Sequence, residues 1–312
     1  MTVSQPPPIE SVVTAFLQKG YVPAKGGKLR VEQALTLPLR EQLVQLIASK
    51  EPANIAFVCG LLQRDDFPAP LSTSLRELLL EDGTAKRVAF ECGHLELFED
   101  YSRLRFDGYS KPALPGGLGR LAQLKDLSLI HGDLEAIPEE IGLLGELTVL
   151  YANFQRLQSV SPAIGRLGKL KALYLNNNQL TALPGSVAGL ARLEKLHLDG
   201  NRFDHVPSGI WHMSSLRDLD LTGNQLTRIP DEIAQLSNLE HLRLGSNPIK
   251  AISPRIAELS RLERLSLNDE SDFRLLPEEL QARVKDKYVC EMDGYLEINL
   301  RAKHSPVPLG SK

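Results

Sequence analysis

Residues 193–215 read LEKLHLDGNRFDHVPSGIWHMSS, and residues 216–238 read LRDLDLTGNQLTRIPDEIAQLSN. Laid one above the other, the two lines share leucine at the first, fourth and sixth places and asparagine at the ninth. They share an apolar residue then proline at the fourteenth and fifteenth, and apolar residues at the eighteenth and twenty-first. The step between them is 23 residues. Internal repeats take precedence over any local reading of helix or strand, because a repeated unit sets the fold. Working outward, the leucine triplet recurs at 124, 127, 129; at 170, 173, 175; at 239, 242, 244; and at 262, 265, 267. Leu147, Leu150 and Ala152 fill the gap, and Tyr101, Leu104 and Phe106 add one frame upstream with aromatic substitutions. Eight frames therefore run from about 101 to 285, starting at Tyr101, Leu124, Leu147, Leu170, Leu193, Leu216, Leu239 and Leu262.

The remaining places agree. Asn178, Asn201, Asn224 and Asn247 form one column. Proline follows the apolar step at 115, 138, 184, 207 and 230, and slips by one place at Pro162 and Pro254. The last frame carries one extra residue, which shifts Leu276, Pro277 and Leu280. The pattern LxxLxLxxNxLxxIPxxIxxLxx resembles the leucine-rich-repeat family, and its apolar-Pro step is similar to the intracellular type of Scribble-like and Ras-suppressor-like proteins. The resemblance covers about 60% of the chain. It implies an α/β solenoid, a curved horseshoe with a parallel sheet on its concave face, and a protein-binding role.

Each place has a physical reason. Side chains of a strand alternate between faces, so in 193–198 Leu196 and Leu198 turn inward while Lys195 and His197 turn outward. A solenoid leaves one face of its parallel sheet open, although such sheets are ordinarily covered on both. An asparagine amide both donates and accepts, so a stacked column can satisfy buried turn groups. That column is expected to weaken at its ends, at Gly132, Gln155 and Glu270. Proline suits an extended segment entering a short helical turn, and the acids of PEEIGLL (138–144) and PDEIAQL (230–236) favour that turn's start.

Composition narrows the function classes. Leucine occurs 57 times against 9 Phe, 7 Tyr and 1 Trp, as one environment repeated many times would require. The net charge of −3 and the lack of a basic stripe give a nucleic-acid backbone little to hold. No apolar run approaches the ~18 residues that cross a bilayer, and the start MTVSQPPPIE lacks a signal-peptide pattern. Cys59, Cys92 and Cys290 are odd in number and far apart, which supports neither a disulfide framework nor a CxxC site. They are expected as thiols in a reducing, cytoplasmic compartment.

Residues 1–9 are Pro-rich and expected to be disordered. Residues 10–100 read as a mainly helical cap, with helices over 10–19, 38–49, 52–64 and 72–80 and a strand at RVAFE (87–91). Solenoid ends must hide apolar surface, which gives the cap its purpose. The repeat domain is 101–285, and 286–312 reads as a C-terminal cap and tail. In it, YVCEMDGYLEINL (288–300) suggests a hairpin or an irregular capping strand around Met-Asp-Gly.

Function is expected on the outward strand places, the third, fifth and seventh of each frame. Eight frames offer about 24 such residues, the size of a standard protein interface. They divide in two. Ile130, Val149, Tyr151, Phe154 and Tyr174 form an apolar, aromatic patch of the kind that anchors interfaces. Lys195, His197, Asp199, Asp218, Asp220, His241, Arg243 and Arg264 form a mixed-charge stretch suited to steering a polar partner. A protein partner is therefore expected, with no nucleic acid, membrane or cofactor, and the chain is read as a monomer. The bland alternatives are rings that merely cover the sheet and charges that pair among themselves.

His197, Asp199, Asp220 and His241 fall within metal-binding reach across adjacent strands, but their spacing does not demand an ion. No metal or catalytic residue is assigned. His197 and Asp220 lack a nucleophile on the same face except Ser266, three strands away. Trp211 occupies a place that other frames fill with Gly or Ala, either as a second contact point or packed between frames. The competing function is a secreted bacterial effector that binds a host protein. A ubiquitin ligase of that kind resembles this layout but carries a large catalytic domain, and Cys290 sits in a tail too short for one.

Overall fold

The computed structural model describes residues 9–19, 38–64, 67, 69–289 and 295–300. They fall into two compact units, one up to Glu99 together with Pro115–Arg120, the other Asp100–Leu114 and Leu121 onward. The first unit holds helices α1 (Ile9–Lys19), α2 (Leu39–Ala48), α3 (Pro52–Leu62), α4 (Ala69–Glu81) and α5 (Gly83–Glu91). Leu43, Leu46, Ile55, Val58, Leu75 and Leu79 fill its core. Pro52 sits at the first turn of α3, where its missing N–H leaves nothing unsatisfied.

The strand expected at 87–91 is instead the second half of α5. Asp82 caps this helix by accepting from the backbone N–H of Thr84 at 2.9 Å and Ala85 at 2.8 Å. An ion pair from Arg87 to Glu91 at 2.9 Å spans one turn. Ala85, Val88 and Ala89 are buried at helical spacing. A five-residue window hides that spacing, because Val88 and Phe90, two places apart, suit a strand equally well.

The second unit is built on the 23-residue frame. Strands β1 (Arg103–Asp107), β2 (Asp126–Ile130), β3 (Val149–Tyr151) and β4 (Ala172–Tyr174) come from frames one to four. Strands β5 (Lys195–His197), β6 (Asp218–Asp220), β7 (His241–Arg243) and β8 (Arg264–Leu267) come from frames five to eight. All eight are parallel neighbours in chain order, and equivalent residues stand side by side, as in Leu150–Leu173 and Leu196–Leu219. The inward residues Leu127, Leu150, Leu173, Leu196, Leu219, Leu242 and Leu265 are all at most 1% exposed. Each contributes roughly 1.5–3 kcal/mol by leaving water, so the repeat itself makes the core.

The proline step enters 3₁₀ turns such as Glu139–Leu143 and Asp231–Gln235, with both acids in the first turn. The asparagine column performs the same three tasks in frames four to seven, at Asn178, Asn201, Asn224 and Asn247. Asn201 Nδ2 donates to Leu175 O and Leu198 O at 3.0 Å, and its Oδ1 accepts from Leu180 N–H at 3.0 Å. At the upstream end the column stops at Gly132, which has no side chain, but it does not weaken as expected at Gln155. Gln155 Oε1 accepts from Leu134 N–H at 2.9 Å and its Nε2 donates to Leu129 O at 3.0 Å. Its extra methylene needs room, and Gly132 provides it: a Cβ there would meet Gln155 Oε1 at 2.8 Å and Tyr109 O at 2.0 Å. At the downstream end Asn268 takes over, donating to Asn247 O and to Asp272, both at 2.7 Å.

The C-terminal segment forms the hairpin. Strand β9 (Val284–Val289) pairs antiparallel with β10 (Leu296–Leu300), and β10 pairs antiparallel with β8. Together they cover the edge that the last parallel strand would leave unpaired, a template for unwanted pairing. The turn between them, the expected disordered start and the tail after 300 lie outside the described residues, as does Cys290.

Candidate functional site

The outward places of β1–β8 make one open face, and its chemistry changes along the stack. At frames three and four Tyr151 and Tyr174 lie in register as strand neighbours. Their rings stack with centroids 4.5 Å apart and only 4° between planes. His197 meets Tyr174 edge-on at 4.9 Å. Burial, then the neighbouring Tyr151 and Asp218, raise the Tyr174 hydroxyl above its ordinary range. Ile130 and Val149 are half-buried beside this pair. Tyr151 is 37% exposed and Phe154 43% exposed, and they share this status with Leu143 alone among the large apolar residues described.

Phe154 does not join the tyrosines in the way the sequence suggests. It stacks on His131 of the preceding frame at 4.6 Å. Both residues hold the eighth place of their frames, where the chain leaves the strand with a left-handed backbone. The φ angle there is 53° at His131, 54° at Phe154, 54° at Asn177 and 49° at Ser246, and glycine serves at Gly108, Gly200 and Gly223. A left-handed φ costs an L-residue roughly 1–2 kcal/mol. His131 was missed because it lies outside the third, fifth and seventh places where function was expected; the signal was Phe154, one frame later in the same column.

From frame five the face is charged. Lys195 and Arg264 are exposed and His241 is half-buried. Arg243 Nη1 bonds Asp218 Oδ1 at 2.9 Å and reaches Asp220 Oδ2 at 3.4 Å. His197 Nε2 lies 3.4 Å from Asp218, diagonal to its register partner Asp220. Burial raises the Asp218 carboxyl, but the His197 hydrogen bond and the Arg243 charge outweigh it and hold the group below its ordinary value. Burial likewise works against the Arg243 charge, and Asp218 and Asp220 overcome it. These residues thus pair with one another, while Asp199 differs: burial first, and then the charge of Asp220, push its carboxyl up to about 6.

Asp199 and Asp220 line a cavity of about 430 Å³ with Arg243, Gly200, Gly223, Tyr295 and Glu297. Tyr295 crosses Gly245, where a Cβ would meet its ring at 2.7 Å, and its hydroxyl lies 2.9 Å from Ser246 Oγ. Ser266 is 1% exposed and Gly245 is buried, so at frames seven and eight the C-terminal strand takes part of the face expected to be open. The ligand atoms of His197, Asp199 and Asp220 fall within 4.8 Å of one another, and His241 is not in the group. Trp211 is buried at 6% exposure, which removes it as a second contact point: its ring packs between frames.

The comparisons agree with this geometry. A family model described as leucine rich repeat matches residues 145–203 and 208–271. A leucine-rich-repeat protein of Leptospira interrogans is 28% identical with a TM-score of 0.53, over 57% of this chain and 51% of that one. The leucine-rich-repeat ectodomain of the receptor kinase GASSHO1/SCHENGEN3 from Arabidopsis thaliana, solved with CASPARIAN STRIP INTEGRITY FACTOR 2, is 28% identical. Its TM-score is 0.48, over 56% of this chain and 22% of that one. The plant peptide hormone receptor RGFR1, solved with RGF2, is 26% identical with a TM-score of 0.46, over 52% and 27%. The chain thus spans about half the length of the first of these and about a quarter of the other two. No curated protein matches the sequence.

With its frames stacked in register and the family model matched across frames three to eight, this chain carries leucine-rich repeats. The class is a general protein-interaction module, typically without catalysis. Among the described residues no helix is long and apolar enough to cross a membrane.

Proposed function

We propose that this domain captures a protein partner on the open face of its sheet, as a scaffold or adaptor and not as an enzyme. The observation that carries the reading is the exposed aromatic cluster at frames two to four. Tyr151 and Phe154 stay open to solvent, where the same places of the other frames, Tyr174 aside, hold polar residues or glycine. His131 and Phe154 also occupy a backbone conformation that glycine adopts freely in frames one, five and six. The fold gains nothing from rings there, and strained side chains that the fold does not require point to a role in binding. A rigid tyrosine pair is the kind of anchor that carries most of an interface's affinity. The 23-residue frame and the odd number of widely spaced cysteines make a cytoplasmic setting part of the same proposal.

The test begins with the partner itself, purified on the full chain from its native cell and identified by mass spectrometry. Replacing Tyr151 and Tyr174 together by Ala is expected to abolish its capture, with a melting temperature shifted by no more than about 2–4 °C. Capture that survives, alongside a large loss of stability, would mean the rings are packing residues and the reading is wrong.

A further inference from the structure

The eighth-place column decides more than backbone geometry. In frames two to four it carries His131, Phe154 and Asn177; in frames five and six it carries Gly200 and Gly223. With those side chains missing and Tyr295 standing across Gly245, the face opens into the cavity of about 430 Å³. That is within the size range of sites that bury a small ligand or an inserted side chain. Three carboxylates line it, Asp199, Asp220 and Glu297, against a single permanent cation, Arg243. Arg243 Nη1 already bonds Asp218 and Asp220, so the one cation is shared among carboxylates of its own face.

We propose that this pocket receives a basic side chain, arginine or lysine, of the protein bound on the open face. The inference rests on the proposed function and specifies the partner's chemistry. A guanidinium or ammonium entering between Asp199 and Glu297 would meet three carboxylates that share one permanent cation, with the Tyr295 ring as an aromatic wall for cation–π contact. The raised Asp199 carboxyl fits this arrangement, because an incoming cation offsets the repulsion between Asp199 and Asp220. The aromatic end would then supply anchoring area, and the pocket would supply orientation and selectivity.

Two variants probe the pocket without disturbing the charges that hold the face together. Asp199→Asn keeps the shape and removes the charge. Gly223→Asn places in the cavity the residue that the same backbone position carries at Asn177, and a Cβ at Gly223 has its nearest neighbours at 3.5 and 3.6 Å. A random linear peptide library displayed on phage is panned on the full chain and on each variant. Wild type is expected to enrich peptides containing Arg or Lys, and one such peptide should bind Asp199→Asn and Gly223→Asn roughly tenfold more weakly. Exchanging its basic residue for norleucine should cost a similar factor. Selected peptides that need Tyr151 and Tyr174 yet ignore both variants overturn the pocket and leave the binding face standing. A library that enriches nothing overturns both. A zinc titration completes the test: micromolar or tighter binding of zinc alone, lost in Asp199→Asn and in His197→Ala, would make the place a metal site and overturn the inference.

Discussion

At frame three the eighth place holds Phe154, stacked on His131; at frames five and six it holds Gly200 and Gly223, over an acid-lined cavity. The backbone turn is the same at both ends, with φ of 53° and 54° in one and 64° and 65° in the other. Beneath the face the two ends are also alike, with leucine in register and the amide column bonded in one pattern. The contrast therefore lies wholly in outward side chains. Frames that the fold treats as interchangeable have been made different where the fold does not constrain them, one end for apolar contact and the other for charge.

The strongest way to break this comparison is to show that the two ends do not share one interior. Leu150→Ala, beneath the tyrosines, and Leu219→Ala, beneath the charged stretch, should each lower unfolding free energy by about 2–5 kcal/mol. Denaturant melts would read both, and a cost confined to one end would refute a common core. Next in size is the amide column. Asn201→Ala leaves the N–H of Leu180 without its partner and takes one of two amide donors from each of the buried carbonyls of Leu175 and Leu198, a loss of roughly 1–3 kcal/mol. Gln155→Ala should cost somewhat less, since Gln155 makes two of the three bonds.

A smaller effect separates the ends by pH. The folded Asp199 carboxyl titrates at about 6, above its unfolded value, so its ionisation opposes folding. That penalty is absent below the unfolded value near 4, grows as pH rises toward 6, and is complete above it. Asp199→Asn should therefore raise the denaturation midpoint at pH 7, and the gain should vanish near pH 4. Asp218 works in the opposite sense. Its folded value is depressed, so its contribution is present at neutral pH and lost as the pH falls through that value.

The smallest expected change in stability comes at the aromatic end. Phe154→Gly removes a bulky left-handed residue and should leave the fold unchanged or about 1 kcal/mol more stable. Partner capture should nevertheless weaken. A destabilised Phe154→Gly protein with full capture would reassign the ring to packing and remove half of the contrast.

The period of 23 was enough to place the eight parallel strands of the open face, the inward leucines, the amide column and the turns after proline, because each is fixed by contacts one frame away. A signal repeated eight times also absorbs local exceptions such as Ala152 and Gln155. The C-terminal hairpin was legible from its two apolar runs. RVAFE was misread because a single short window carries no period, and its helix depends on the Asp82 cap and on burial of one side.

What sequence could not decide concerns the outward side chains, which follow no repeat. Register alone sets His197 opposite Asp220, but the tertiary structure turns it to Asp218, and Arg243 crosses to the same carboxylate. Tyr295 meets Ser246 across 49 residues of chain, and that contact closes one side of the cavity. The physical reason is one of range. Stacking frames depends on neighbours that recur at a constant spacing, so the order of residues suffices to determine it. Pairing among open-face charges and the walls of a pocket depend on where long side chains come to rest, and only the folded stack determines that.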